Sequence, residues 1–107
     1  KTLQLDGSIF NDMKPRLVNV LGRKMEVTPK GTMLFIENID VPGVIGKVGK
    51  TLGDKNINIA AYLLNRNNQD GKAFAVIRVD NEVKDEDLVA LEQLEEVEWI
   101  ECVNVNT

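Results

Sequence analysis

The chain has 107 residues, of which 43% are hydrophobic, and a formal net charge of −4 at pH 7. This composition favours one folded domain with a short additional segment and argues against a disordered chain. With one cysteine and no histidine, the chain cannot form an internal disulfide, and it lacks the commonest zinc ligand and general base. No apolar run approaches the roughly 18 residues of a membrane helix. Together with the single thiol, this predicts a cytoplasmic protein that does not bind a membrane.

Charge is unevenly distributed along the chain. Residues 1–31 carry six Lys/Arg and three Asp/Glu, whereas residues 32–107 carry seven and fourteen. The acidic body argues against nucleic-acid binding, which needs clustered cations. Because the chain begins with Lys1 rather than Met, we expect it to be part of a longer protein.

Residues 1–30 have the pattern of paired strands. Apolar and polar residues alternate over 2–10, which predicts a strand, and again over 16–27, with an interruption at Gly22-Arg23. The two segments predict a β-hairpin. Two strands alone are marginal in water, so we expect this segment either to pack on the body or to belong to a domain completed elsewhere.

The body alternates strands and helices in the order β-α-β-β-α-β. The predicted strands cover 32–39, 57–66, 72–80 and 99–105, and the predicted helices cover 44–55 and 85–94. This order predicts an α+β, ferredoxin-like fold, with a four-stranded antiparallel sheet and two helices on one face. The first and third strands are the most continuously apolar, which favours the central positions of the strand order 4-1-3-2.

The first predicted helix carries an apolar face formed by Val44, Ile45, Val48 and Leu52. Its glycines at 46 and 49 favour a close approach to a neighbouring element. The second helix begins with three acidic residues, which suits the positive end of its dipole.

The segment from Asp40 to Gly49 is the most informative part of the chain. A strand ends, the chain turns at Pro42-Gly43, and a helix begins. The free N–H groups at a helix N-terminus suit a small anion or zwitterion. Without a nucleophile–base pair in the sequence, we expect this protein to sense a small molecule rather than transform one. Asp40 as a helix cap and Asn58 as a turn residue are the structural alternatives.

This segment, Asp-Val-Pro-Gly-Val-Ile-Gly-Lys-Val-Gly, is followed by Asn-Ile-Asn-Ile-Ala at 56–60. Residues 31–106 thereby resemble the ACT domain, a small-molecule-binding regulatory module, assigned here to 31–107. Residues 8–10, 15–18 and 21–23 resemble the end of the intervening, allosteric substrate-binding domain of long-form D-3-phosphoglycerate dehydrogenases, which precedes the ACT domain and is assigned to 1–30. The β chain of iron–sulfur L-serine dehydratases is a similar alternative.

The resemblance implies an amino-acid-binding regulatory domain with L-serine as its effector, and homo-oligomers paired through sheet edges. It implies no catalytic residue, metal or cofactor in this chain, with NAD used by the parent enzyme. A purely structural oligomerisation module is the other alternative. The effector-binding residues implied by the resemblance are Asn38, Asp40, Gly43, Val44, Ile45 and Asn58.

Each of these residues has an implied role. Asp40 would hold the ligand's amino group, and the backbone N–H groups of Val44 and Ile45 would face its carboxylate. Asn58 would reach the ligand from the partner subunit. Asn38 departs from the pattern of this family, in which the position two before Asp40 is often an aromatic residue or His.

Overall fold

A computed structural model describes residues 3–5, 16–20, 23–27, 31–67 and 70–105. Their secondary structure comprises seven strands and two helices. The elements are β1 (Leu3–Leu5), β2 (Arg16–Val20), β3 (Arg23–Val27), β4 (Gly31–Ile39), α1 (Val44–Asp54), β5 (Ile59–Asn67), β6 (Lys72–Val79), α2 (Asp85–Glu92) and β7 (Val97–Val105).

The N-terminal segment forms a three-stranded antiparallel sheet in the order β1-β2-β3. The predicted paired strands are present, with a third strand, because residues 16–27 themselves fold into a hairpin in which Arg16 pairs with Val27 and Val20 with Arg23. The interruption predicted at Gly22-Arg23 is where the two strands separate. The predicted strand 2–10 is described only over Leu3–Leu5. Residues 11–15, which connect the two predicted segments, lie outside the described residues.

The second sheet has four antiparallel strands in the order β5-β6-β4-β7. This confirms the predicted ferredoxin-like fold and its strand order. The two central strands, β4 and β6, are the ones with the longest runs of buried residues. Adjacent residues of these strands point to opposite faces of the sheet, and both are buried, so these strands lack the alternation of an antiparallel strand with one face in water.

The core lies between this sheet and the two helices. Alternate residues of the central strands, including Leu34 and Ile77, face α1 and α2. Helix α1 contributes Val44, Val48 and Leu52, four residues apart, to the same core. Ile45, predicted to share this face, is instead exposed. The helix turns by about 100° per residue, which carries Ile45 away from the core.

The other face of the sheet is also apolar and buried. Phe35 and Phe74 lie there with ring centroids 6.5 Å apart, and both are almost completely shielded from solvent. No described helix covers this face. Val27, at the end of β3, is buried and lines a cavity of about 260 Å³ together with residues of this face such as Met33 and Leu63. The last residues of β3, Glu26 and Val27, therefore lie beside this face of the four-stranded sheet.

The C-terminus of α1 explains why β5 begins later than predicted. Asn56 has a left-handed backbone (φ 60°). The N–H of Asn56 donates to Gly53 O, and the N–H of Ile57 donates to Leu52 O. These two bonds form a Schellman motif that satisfies the last carbonyl groups of the helix. The predicted strand at 57 therefore starts at Ile59 instead.

Helix α2 begins with acidic residues, as predicted. One of them, Asp87, accepts a hydrogen bond from the backbone N–H of Lys84 at 2.9 Å. The expected close approach at the α1 glycines is wrong, because a Cβ atom at Gly46 or Gly49 would meet nothing within 4 Å. Neither described helix is long and apolar enough to span a bilayer.

Candidate functional site

A small cavity opens where β4 ends and α1 begins. Its volume is about 130 Å³, and it is lined by residues from the β4–α1 turn, the start of α1 and the adjacent ends of β5 and β6. Five of the six sequence-predicted site residues line it. They are Asn38, Asp40, Gly43, Val44 and Ile45.

The first turn of α1 presents backbone donors to this cavity. Gly43 precedes the helix with φ 91°, a left-handed conformation that glycine adopts without strain, and no described side chain caps this end. The first intrahelical bond runs from the N–H of Lys47 to Gly43 O, at 3.0 Å. The N–H groups of Val44, Ile45 and Gly46 therefore have no partner within the helix. The alternative in which Asp40 caps the helix is wrong.

Asn38 brings a buried amide to the inner wall of the cavity. The residue is only 4% exposed, and its Nδ2 donates to Ile39 O at 2.9 Å. No described residue hydrogen-bonds to its Oδ1. The pairing of β4 with β7 shifts register between Glu37 and Asn38, an irregularity that redirects side chains locally. A buried amide oxygen without a partner costs free energy, and a ligand with an N–H or O–H group would relieve that cost.

Asp40 is held by two contacts with the β5–β6 hairpin. Its backbone N–H donates to Gly71 O at 2.9 Å. Its carboxylate oxygen Oδ1 lies 3.4 Å from Nε of Arg66, an ion-pair distance that is longer than a normal hydrogen bond. The Asp40 side chain is 23% exposed, so an anionic group remains accessible at the rim of the cavity.

Asn58 does not reach this cavity. It immediately precedes β5, beside the C-terminal end of β6, whereas the cavity lies beside the opposite ends of these strands. Its Nδ2 donates to the carboxylate of Asp80, and its backbone N–H donates to Asn81 Oδ1 at 2.7 Å. Within one copy of the chain, Asn58 connects β5 to the end of β6.

Arg66 is the charged residue of the cavity that the sequence analysis missed. Strand pairing aligns Arg66 with Ala73 and Ala73 with Asn38, so the three residues form one row across β5, β6 and β4. The small Ala73 side chain leaves space between the two polar residues, and all three line the cavity. The available sequence signal was alternation along β5, since Arg66 lies two residues after the core-packed Leu64.

The polar groups of the cavity are of kinds that bind small molecules. The described residues contain no group of three or more His, Cys, Asp or Glu side chains placed to hold a metal ion. Burial and the nearby Glu101 raise the pKa of the Cys102 thiol, so it stays protonated at neutral pH. The cavity itself combines backbone donors, a carboxylate, a guanidinium and an amide. These groups are complementary to a small zwitterion.

Comparison with known proteins finds relatives that share one name. No protein-family model matches the chain. A protein from Methanocaldococcus jannaschii is 30% identical over 105 residues, which are 98% of this chain and 20% of that protein. A Bacillus subtilis protein is 29% identical over 84% of this chain and 17% of its own length. A Synechocystis protein is 33% identical over 74% of this chain and 14% of its own length.

All three relatives are named D-3-phosphoglycerate dehydrogenase. The chain spans no more than about one fifth of the length of these relatives. The similarity therefore concerns one segment of a larger enzyme. Proteins named D-3-phosphoglycerate dehydrogenase are homologues of this chain.

Proposed function

We propose that the chain is a regulatory domain of ACT type from a D-3-phosphoglycerate dehydrogenase, the NAD-dependent first enzyme of serine biosynthesis, and that it binds L-serine. In this proposal residues 1–30 are the end of the intervening domain that precedes it. The observation that carries the proposal is the cavity at the β4–α1 turn, where five of the implied effector-binding residues meet.

The groups around the cavity match the parts of an amino acid. The free N–H groups of Val44 and Ile45 suit a carboxylate, because they point out of the positive end of the α1 dipole. The carboxylate of Asp40 suits an ammonium group. The buried Oδ1 of Asn38 is available for a donor on the ligand, such as the serine hydroxyl.

Pairing of two copies would bring Asn58 to the same cavity. Strand β5 is an edge strand. A two-fold axis through the middle of β5 would pair it antiparallel with β5 of a second copy. The start of one β5, beside Asn58, would then lie next to the end of the other, beside Arg66. This arrangement supports the implied role of Asn58 at the site of its partner.

A purely structural oligomerisation module is the second candidate. The observation in its favour is that β5 and β7 are nine-residue edge strands with unpaired outer edges in the described sheet, which is a geometry suited to pairing with another chain. The iron–sulfur serine dehydratase alternative is less favoured, because each relative above is named a dehydrogenase.

Isothermal titration of the chain with L-serine tests the proposal, with glycine and L-phenylalanine as comparison ligands. We expect saturable binding of L-serine near one ligand per chain or per pair of chains. Glycine and L-phenylalanine lack the hydroxyl that would donate to Asn38 Oδ1, so both should bind more weakly than L-serine. Self-association without any ligand response at millimolar L-serine would favour the structural module.

A further inference from the structure

Arg66 has an unusual position among the charged residues of the cavity. Its contact with Asp40 runs through Nε at 3.4 Å. Its guanidinium has no other ion-pair or hydrogen-bond partner among the described residues. Two terminal nitrogen atoms, which form the fork that best matches a carboxylate, are therefore available at the cavity rim.

The side chain of Arg66 is freer to move than that of Asp40. Asp40 is fixed through its backbone and its side chain is 23% exposed, whereas the Arg66 side chain is 61% exposed. An ion pair this exposed adds little to stability. When another cation competes for the Asp40 carboxylate, Arg66 is the partner that can move away. Ala73, which separates Arg66 from Asn38, leaves room for that movement.

The nature of the competing cation decides what happens to Arg66. A simple amine that pairs with Asp40 leaves Arg66 beside a second positive charge, and like charges repel. An α-amino acid brings its own carboxylate next to its ammonium group. That carboxylate can receive the guanidinium while the helix N-terminus also faces it.

We propose that Arg66 exchanges partners when the ligand binds, leaving Asp40 for the ligand's carboxylate, and thereby selects amino acids over amines. This inference rests on the proposed function, because it assumes that the cavity binds an amino acid. It adds a residue whose role concerns selectivity, and it assigns the ligand carboxylate a side-chain partner besides the helix N-terminus.

The test compares L-serine with ethanolamine, which has the same ammonium and hydroxyl groups but no carboxylate. Both are titrated into the wild-type chain, Arg66→Gln and Arg66→Lys by calorimetry. We expect Arg66→Gln to weaken L-serine binding about tenfold or more, which is typical for the loss of a hydrogen bond to a charged group. Ethanolamine binding should stay unchanged or strengthen. Arg66→Lys keeps the positive charge but lacks the forked pair of terminal nitrogen atoms. Its affinity for L-serine should therefore lie between those of the wild-type chain and Arg66→Gln.

Arg78→Gln is the matched control, because Arg78 lines the cavity on the opposite face of the sheet, and its loss should leave both titrations unchanged. If the wild-type chain binds L-serine and Arg66→Gln binds it equally or more tightly, Arg66 is only a competitor for Asp40 and the inference is wrong. If the wild-type chain binds neither ligand, the proposed function itself fails and the inference fails with it. Unchanged melting temperatures for the variants would show that each remains folded.

Discussion

Replacing Asp40 by alanine separates a binding role from a structural one. The structural loss is small, because alanine keeps the backbone N–H bond to Gly71 and no helix cap depends on the side chain. What disappears is the exposed ion pair with Arg66, at about 0–1 kcal/mol. Loss of a negative charge near the N-terminus of α1 adds about 0.3–1 kcal/mol. The free energy of unfolding should therefore fall by less than about 2 kcal/mol.

The expected loss of ligand binding is larger. A hydrogen bond between two charged groups contributes about 1.5–3 kcal/mol, so Asp40→Ala should weaken L-serine binding by a factor of about 10–150. Urea denaturation gives the change in the free energy of unfolding, and calorimetric titration gives the change in affinity. Both measurements are made at one pH and one salt concentration, since exposed ion pairs are screened.

Asp54→Ala provides the matched control. Asp54 forms an exposed ion pair with Lys50 at 3.0 Å on α1, four residues apart and away from the cavity lining. Its replacement removes the same charge and a similar ion pair, but it should leave L-serine affinity unchanged. Equal losses of affinity in Asp40→Ala and Asp54→Ala would refute the reasoning, because they would show a general effect of net charge or stability.

Three further predictions concern the helix, the edge strand and pH. Gly49→Ala should raise the free energy of unfolding by about 0.5–1 kcal/mol, since a Cβ there meets nothing within 4 Å; a lower urea midpoint would contradict this. Leu63→Lys on β5 should reduce self-association in sedimentation experiments, whereas Val89→Lys, at a similar exposure of 52% against 51%, should not. The hydrogen bond from Lys47 lowers the pKa of Glu96, so the stabilisation from this pair is complete above the ordinary carboxyl pKa and disappears as pH falls through the lowered value. The stability difference between wild type and Glu96→Gln should therefore shrink on acidification, and a constant difference in urea titrations would count against the pairing.

The sequence predicted the architecture of the body because two independent signals agreed. The continuous apolar runs around Phe35 and Phe74 identified central strands, and the order of elements left one common topology for them. The cavity was also predictable in part. Asn38, Asp40 and Gly43 are close in sequence, so the end of one strand and the start of the next helix bring them together.

Several features that depend on strand register or on turn chemistry were not predicted. Arg66 lies 26 residues after Asp40, and only the pairing of β5, β6 and β4 brings it to the cavity. Asn56 ends α1 in a left-handed conformation, so the following residue completes a helix cap instead of starting a strand. The apolar residue Ile45 was wrongly assigned to the core, since a short helix gives too few residues to fix its buried face.

The double attachment of Asp40 to the β5–β6 hairpin has a mechanical consequence. The carbonyl of Gly71 holds the backbone, and Arg66 holds the side chain. A ligand that takes over the side-chain contact leaves the backbone contact intact. The hairpin then stays attached to Asp40 through Gly71. At the end of β5, Arg66 would lose its ion pair with Asp40 and gain a contact with the ligand. Ligand binding would therefore first change how often the end of β5 unfolds locally. This end belongs to the sheet edge that a second copy would meet.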